Sequence, residues 1–153
     1  VTSGGYKTNN NSATLYYFNT YPRYAVWGSS DNSPGTISSL NAAKISTWIA
    51  DADAKITNLR VNLYASDSGL TDPLKFYIYK ATIENTDVNA DLTLIHTSST
   101  ITPVSTQLMV ISDNITSGNT FDEGDTIFIA LKKDSTSGNS DLFFTVSISG
   151  EYA

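Results

Sequence analysis

In the stretch DLFFTVSISG, residues 141–150, Leu142, Phe144, Val146 and Ile148 fall on one side of an extended chain, and Phe143, Thr145, Ser147 and Ser149 on the other. Successive side chains of a strand point to opposite faces, so this spacing predicts a strand with one face in a core. The same period returns in NLRVNLYA, with Leu59, Val61 and Leu63 inward and Asn58, Arg60, Asn62 and Tyr64 outward. DTIFIALKK puts Ile127, Ile129 and Leu131 on one side, and LKFYIYKATI sets Leu74, Phe76 and Ile78 against Lys75, Tyr77 and Tyr79. Shorter runs, DLTLIHT, TQLMVIS, AAKISTWIA and TLYYFN, bring the set to about eight strands. In AAKISTWIA a helical turn is an alternative for the first residues, but ISTWI is β-branched and aromatic and reads as strand.

Between these runs lie clusters rich in Ser, Thr, Asn, Asp and Gly: ASDSGLTDP, TSGN, DEGD and DSTSGNSD, with SSDNSPG expected to form a long irregular loop. They place turn-forming residues where an antiparallel chain must reverse. Between Ile56 and Leu59 the parity of the inward residues changes, which predicts a β-bulge or a strand end. Many short strands without helices between them predict an all-β, antiparallel β-sandwich with little or no helix. Its expected core is Leu59, Val61, Leu63, Phe76, Ile78, Ile127, Ile129, Leu131, Phe144, Val146 and Ile148. Residues 1–14 read as a polar arm or tether and residues 15–153 as a single domain.

Composition narrows the function. The 153-residue chain carries a formal net charge of −6, and its nine Lys and Arg stand singly apart from Lys132 and Lys133. No basic stripe is available to neutralise a phosphate backbone, so nucleic acid is not an expected partner. No apolar run approaches the roughly 20 residues of a membrane-spanning helix, and membrane insertion is not expected. With no cysteine and a single histidine, His96, a thiolate or multi-histidine metal site and a Cys-His pair are excluded. His96 reads as an ordinary strand residue.

Chemistry beyond that is thin. Counting leaves a Ser-His-Asp triad open, since Ser and Asp abound, but no G-x-S-x-G elbow is present. Asp51 and Asp53 in DAD, and Asp122, Glu123 and Asp125 in DEGD, offer oxygen ligands of the kind calcium takes, yet neither has an EF-hand pattern and both read as structural turns. No catalytic residue, no metal site and no cofactor is expected.

The aromatic stretch YYFNTYPRYAVWG, residues 16–28, divides at NTYPR, because the residue before proline is held extended and Asn and Pro favour a connection. Most of its aromatics read as core and strand. Tyr21, Arg23 and Tyr24 are the ligand or receptor candidates, since an exposed ring stacks on a sugar and a guanidinium forks onto a hydroxyl or carboxylate. Tyr77, Tyr79, Phe128 and Phe143 sit on strand faces that should meet solvent, and several aromatics on successive strands point either to a second packed surface or to a subunit interface, unless they simply line the margins of a closed sandwich.

Residues 114–153 resemble the closing part of jelly-roll domains at the ends of phage tail fibres and other virion fibre heads. Gly124-Asp125 precedes an apolar strand at 126–132, a polar hairpin at 134–141 and a last alternating strand at 142–149. The arrangement is also similar to trimeric jelly rolls of the tumour necrosis factor and complement type. With KITNLRVNLYA and FYIYKATI upstream, the resemblance extends over about residues 40–153. It implies a jelly-roll sandwich in a non-enzymatic virion protein, a fibre or spike head or decoration domain. Such a protein is usually a homotrimer that contacts other virion proteins and a host-surface glycan or protein receptor. A bacterial or archaeal surface adhesin or pilus subunit, and a carbohydrate-binding module, are the alternatives.

Overall fold

A computed structural model describes residues 2–7, 15–17, 27–29, 36–38, 48–66, 73–84, 89–133 and 141–152. Its strands are β1 (Thr2–Lys7), β2 (Leu15–Tyr17), β3 (Trp27–Ser29), β4 (Thr36–Ser38), β5 (Trp48–Ile49), β6 (Ala54–Ala65) and β7 (Leu74–Ala81). They continue with β8 (Asn89–Asp91), β9 (Thr93–Thr97), β10 (Leu108–Asn114), β11 (Thr120–Phe121), β12 (Thr126–Lys133) and β13 (Asp141–Tyr152). No helix occurs among the described residues. Every strand pair among the described residues is antiparallel.

One sheet runs β1-β13-β6-β10, with β11 on the far end of β6; the other runs β3-β2-β12-β7-β9, with β5 on β12. Along the chain, β1, β2, β6, β7, β9, β10, β12 and β13 alternate between the sheets except at the β7 to β9 step, which stays within one. That winding places the first strand beside the last and the second beside the last but one. It is the double Greek key of a jelly roll. Residues 2–7, within the segment that reads as a polar arm, form the edge strand of the β13 sheet, with Thr2 opposite Val146 and Lys7 opposite Asp141.

The core is filled from both sheets by the residues that the alternation predicts. Leu59, Val61, Leu63, Phe76, Ile78, Ile127, Ile129, Leu131, Phe144 and Val146 are buried in one cluster. Phe76 and Phe144 meet across the sandwich with ring centroids 6.0 Å apart and planes at 72°, the edge-to-face geometry favoured by ring quadrupoles. Ile148, also expected in the core, is only partly buried. It lies opposite Leu59, one residue before the regular pairing of β13 breaks.

That break is the bulge anticipated between Ile56 and Leu59. Ser149 pairs with Asn58 and Gly150 with Ile56, so Thr57 has no opposite residue on β13, and Ile56 and Leu59 both face the core three positions apart. The freed backbone groups are taken by the loop after β10. Ile115 N–H donates to Thr57 C=O at 2.9 Å, Ile56 N–H donates to Asn119 C=O at 2.9 Å, and the buried Asn119 amide donates back to the carbonyls of Ile56 and Ile115. Opposite the bulge, a Cβ on Gly150 would lie 2.7 Å from the Lys55 carbonyl oxygen, a backbone atom that cannot swing away. Gly150→Ala is therefore expected to destabilise the fold by about 1–3 kcal/mol, read as a lower urea midpoint at an unchanged slope.

The second sheet departs from the expectation that its outer face is open. Phe128 is 0% exposed and Tyr79 is also buried, in a small cluster with Ala81, Ala90 and Ala130 against which Tyr77 and Leu92 pack. Ala90, on β8 between β7 and β9, belongs to this cluster, and β8 pairs with β4. Tyr77 and Tyr79 stack with centroids 6.2 Å apart, and burial together with the neighbouring Tyr77 pushes the Tyr79 phenol up to about 12.

Candidate interaction surface

The outer face of the β13 sheet shows no comparable cover among the described residues. Cross-strand register builds it row by row. Phe143 on β13 stands opposite Tyr64 on β6, and Tyr64 opposite Leu108 on β10. The next row is Thr145, Asn62 and Val110, and the next Ser147, Arg60 and Ser112. Ser149, Asn58 and Asn114 form the last. In a strand these positions alternate with Phe144, Leu63, Val61 and Ile111, which are buried, so burial of one side turns the other outward.

One end of this face is apolar and the rest polar. Phe143 is 52% exposed, Leu108 69% and Val110 49%, and the Tyr64 and Phe143 rings lie 6.4 Å apart at 46°. Arg60 is exposed, and neither it nor the side chains of Asn62, Thr145 and Ser147 have a hydrogen-bond partner or ion pair among the described residues. Lys55 and Glu151, beyond the bulge, neutralise each other at 3.0 Å. Leu108 and Val110 were not singled out from sequence. Their signal is the run LMVI in β10, apolar on both parities although only one side, with Ile111 buried and Met109 partly so, reaches the core.

The candidates for chemistry resolve into structural groups. Asp113 Oδ2 lies 3.2 Å from His96 Nε2 and accepts the Ser99 N–H at 2.7 Å, while Oδ1 accepts the Ser99 hydroxyl at 2.7 Å. A relay that activates serine needs the imidazole between hydroxyl and carboxylate. Here the carboxylate is in the middle, so Ser99 gains no base, and the cluster instead ties the edge strands β9 and β10 of the two sheets together. Burial pushes the Asp113 carboxyl up, but the two Ser99 hydrogen bonds and His96 outweigh it and hold the carboxyl below its ordinary value.

The acidic turns face one another. Asp53 Oδ1 accepts the Glu123 N–H at 2.9 Å, and Gly124 takes the left-handed φ of 91° that closes the turn. Asp125, 1% exposed, accepts from Lys80 Nζ at 3.0 Å, Thr82 Oγ1 at 2.6 Å and its own turn's Asp122 N–H at 3.0 Å. Its carboxyl is raised by burial, yet Thr82, Asp122 and Lys80 together keep it below the ordinary range. Among the described residues no three His, Asp or Glu side chains converge as metal ligands. No helix among them is long and apolar enough to cross a membrane.

Of the residues proposed from sequence, Phe143 lies on the open face, Tyr77 is partly buried on the opposite sheet, and Tyr79 and Phe128 are buried within the chain. Tyr21, Arg23 and Tyr24 lie outside the described residues.

No family model and no curated protein matches the sequence. Among solved structures, the chain is similar to Eiger TNF from S. frugiperda, at 8% identity and a TM-score of 0.39, covering 100% of this chain and 96% of that one. It is also similar to the cowpea mosaic virus top component, naturally occurring empty particles, at 12% identity and a TM-score of 0.39, covering 99% of this chain and 78% of the other. A cowpea mosaic virus empty virus-like particle follows at 12% identity and a TM-score of 0.29, with the same coverage of 99% and 78%. The jelly-roll assignment rests on the strand order rather than on these likenesses.

Proposed function

We propose that this chain is a non-enzymatic virion surface domain, a fibre or spike head or decoration jelly roll. In this reading it assembles as a homotrimer, contacts other virion proteins and meets a host-surface receptor through the outer face of its β13 sheet. The observation that carries the reading is that face. Phe143, Leu108 and Val110 keep about half or more of their surface in water while their strand neighbours are locked into the core. Clustered exposed apolar residues on a rigid sheet are the mark of a contact surface. Tyr21, Arg23 and Tyr24 are proposed as further contributors to the same recognition.

Two measurements test it. Light scattering on the purified chain at micromolar concentration should give three times the monomer mass, and a monomer at every concentration overturns the trimer. Attachment of the labelled domain to host cells should fall on changing Phe143→Ser with Leu108→Ser, the melting temperature staying within about two degrees because both side chains are already exposed. Tyr21→Ala with Arg23→Ala is the parallel variant. Undiminished attachment by the Phe143 and Leu108 variant removes the face from recognition. Loss of the trimer in that variant would instead make the face a contact between subunits.

A further inference from the structure

Resting on the reading of this face as the contact surface, we infer that its ligand is a glycan bearing a carboxylate, laid along β6 and β13 from Tyr64 and Phe143 to Arg60. Three features of the face converge on that chemistry. At one end the paired rings of Phe143 and Tyr64 form a partly exposed aromatic platform. Sugar rings present flat C–H surfaces, and rigid aromatics are the side chains that stack on them at small entropic cost. Along the middle, Asn62, Thr145 and Ser147 offer an amide and two hydroxyls with no partner among the described residues. Such groups both donate and accept, as the hydroxyls of a sugar require.

At the far end stands Arg60, four residues from Tyr64 along one strand and therefore about 13 Å from it. That span suits a short oligosaccharide better than a single ring. Arg60 is exposed and, among the described residues, unpaired and the one cation of these rows, in a chain whose net charge is −6. A guanidinium presents a planar fork that matches a carboxylate in two hydrogen bonds, so charge complementarity selects an acidic sugar over a neutral one.

A second copy of the chain fits the same face less well. Pairing like faces would bring Arg60 against Asn, Ser and Thr; among the described side chains Glu151 is already neutralised by Lys55, and Asp113 is held by Ser99 and His96. A protein partner would also want an apolar centre depleted of charge, whereas here the apolar residues sit at one corner and the centre is polar.

The test is titration of the whole chain with sialyllactose, with a galacturonate oligomer and with lactose, followed by chemical-shift changes or calorimetry. At least one of the two acidic sugars should bind, and lactose should bind about tenfold or more weakly. Arg60→Gln should abolish that preference while leaving any lactose binding unchanged, and Phe143→Ser should weaken all sugars alike. Binding to the preferred sugar should fall as salt is raised. Absence of binding to both acidic sugars at 10 mM, on the order of the weakest useful affinity, or full binding by Arg60→Gln, overturns the inference. Attachment to host cells stripped of surface glycans separates the two levels. If the domain still attaches, the glycan assignment fails and the receptor reading survives; if it attaches to neither stripped nor intact cells, the receptor reading itself fails.

Discussion

Replacing Phe144 with alanine should cost about 3–5 kcal/mol, the range for removing a large aromatic from a packed core. The ring comes from the central strand of one sheet and meets Phe76 from the other, so its loss empties space that neither sheet can close alone. Chemical denaturation measures the effect directly, and Phe76→Ala should cost a similar amount. In the double variant the two penalties should fall short of additive by about 0.5–1.5 kcal/mol, the worth of an edge-to-face pair beyond its buried area. An unchanged midpoint for Phe144→Ala would mean that β13 presents its other parity to the core.

Removing the carboxylate at Asp125 should also be damaging. Asp125→Ala leaves Lys80, Thr82 and the Asp122 amide without their shared acceptor, and because Lys80 is partly exposed to water the cost should be about 2–3 kcal/mol. Asp125→Asn keeps the shape and should lose less. The same group gives the protein an acid-labile component. Because the folded carboxyls of Asp125 and Asp113 both ionise below their ordinary value, their contribution is fully present above the unfolded value of about 4. It is withdrawn as pH falls through the folded values. The melting temperature should therefore drop steeply below about pH 4, and the drop should be shallower in Asp125→Asn and shallower still with Asp113→Asn added. A parallel decline in the wild type and both variants would locate the acid sensitivity elsewhere.

The parts of this fold that were legible in the sequence are those set by the two-residue period. Alternation assigned Leu59, Val61, Leu63, Phe144 and Val146 to the core because a strand offers each side chain only two directions. The odd spacing from Ile56 to Leu59 announced the bulge for the same reason. Alternation does not say what lies over the other side. Phe128 was expected on a solvent-facing side and is buried, in a cluster that includes Ala90, a small residue in a polar segment that gives little hydrophobic signal. The run TIFIAL, apolar on both parities, was the available hint that β12 is covered on both faces.

The exposed rows of the β13 sheet were less readable still. Period fixes which face Tyr64 and Phe143 occupy, but the row joining them to Leu108 depends on register among three strands far apart in sequence. Likewise Ser99, His96 and Asp113 meet only because the edges of the two sheets come together.

The position of β13 between β1 and β6 also dictates an order of events. The strand that holds the middle of its sheet is the last of the described strands to leave the ribosome, and Thr2 must wait for Val146, far along the sequence, before it has a partner. Loop closure over such a distance has to be completed before the pairing rewards it, so the domain should fold slowly, on the millisecond-to-second scale of non-local β topologies. A nascent chain stopped at residue 140 would hold β1 and the long β6 with their shared neighbour missing. Until β13 follows, the exposed edges of that half-built sheet are what a chaperone, or another copy of the chain, would meet.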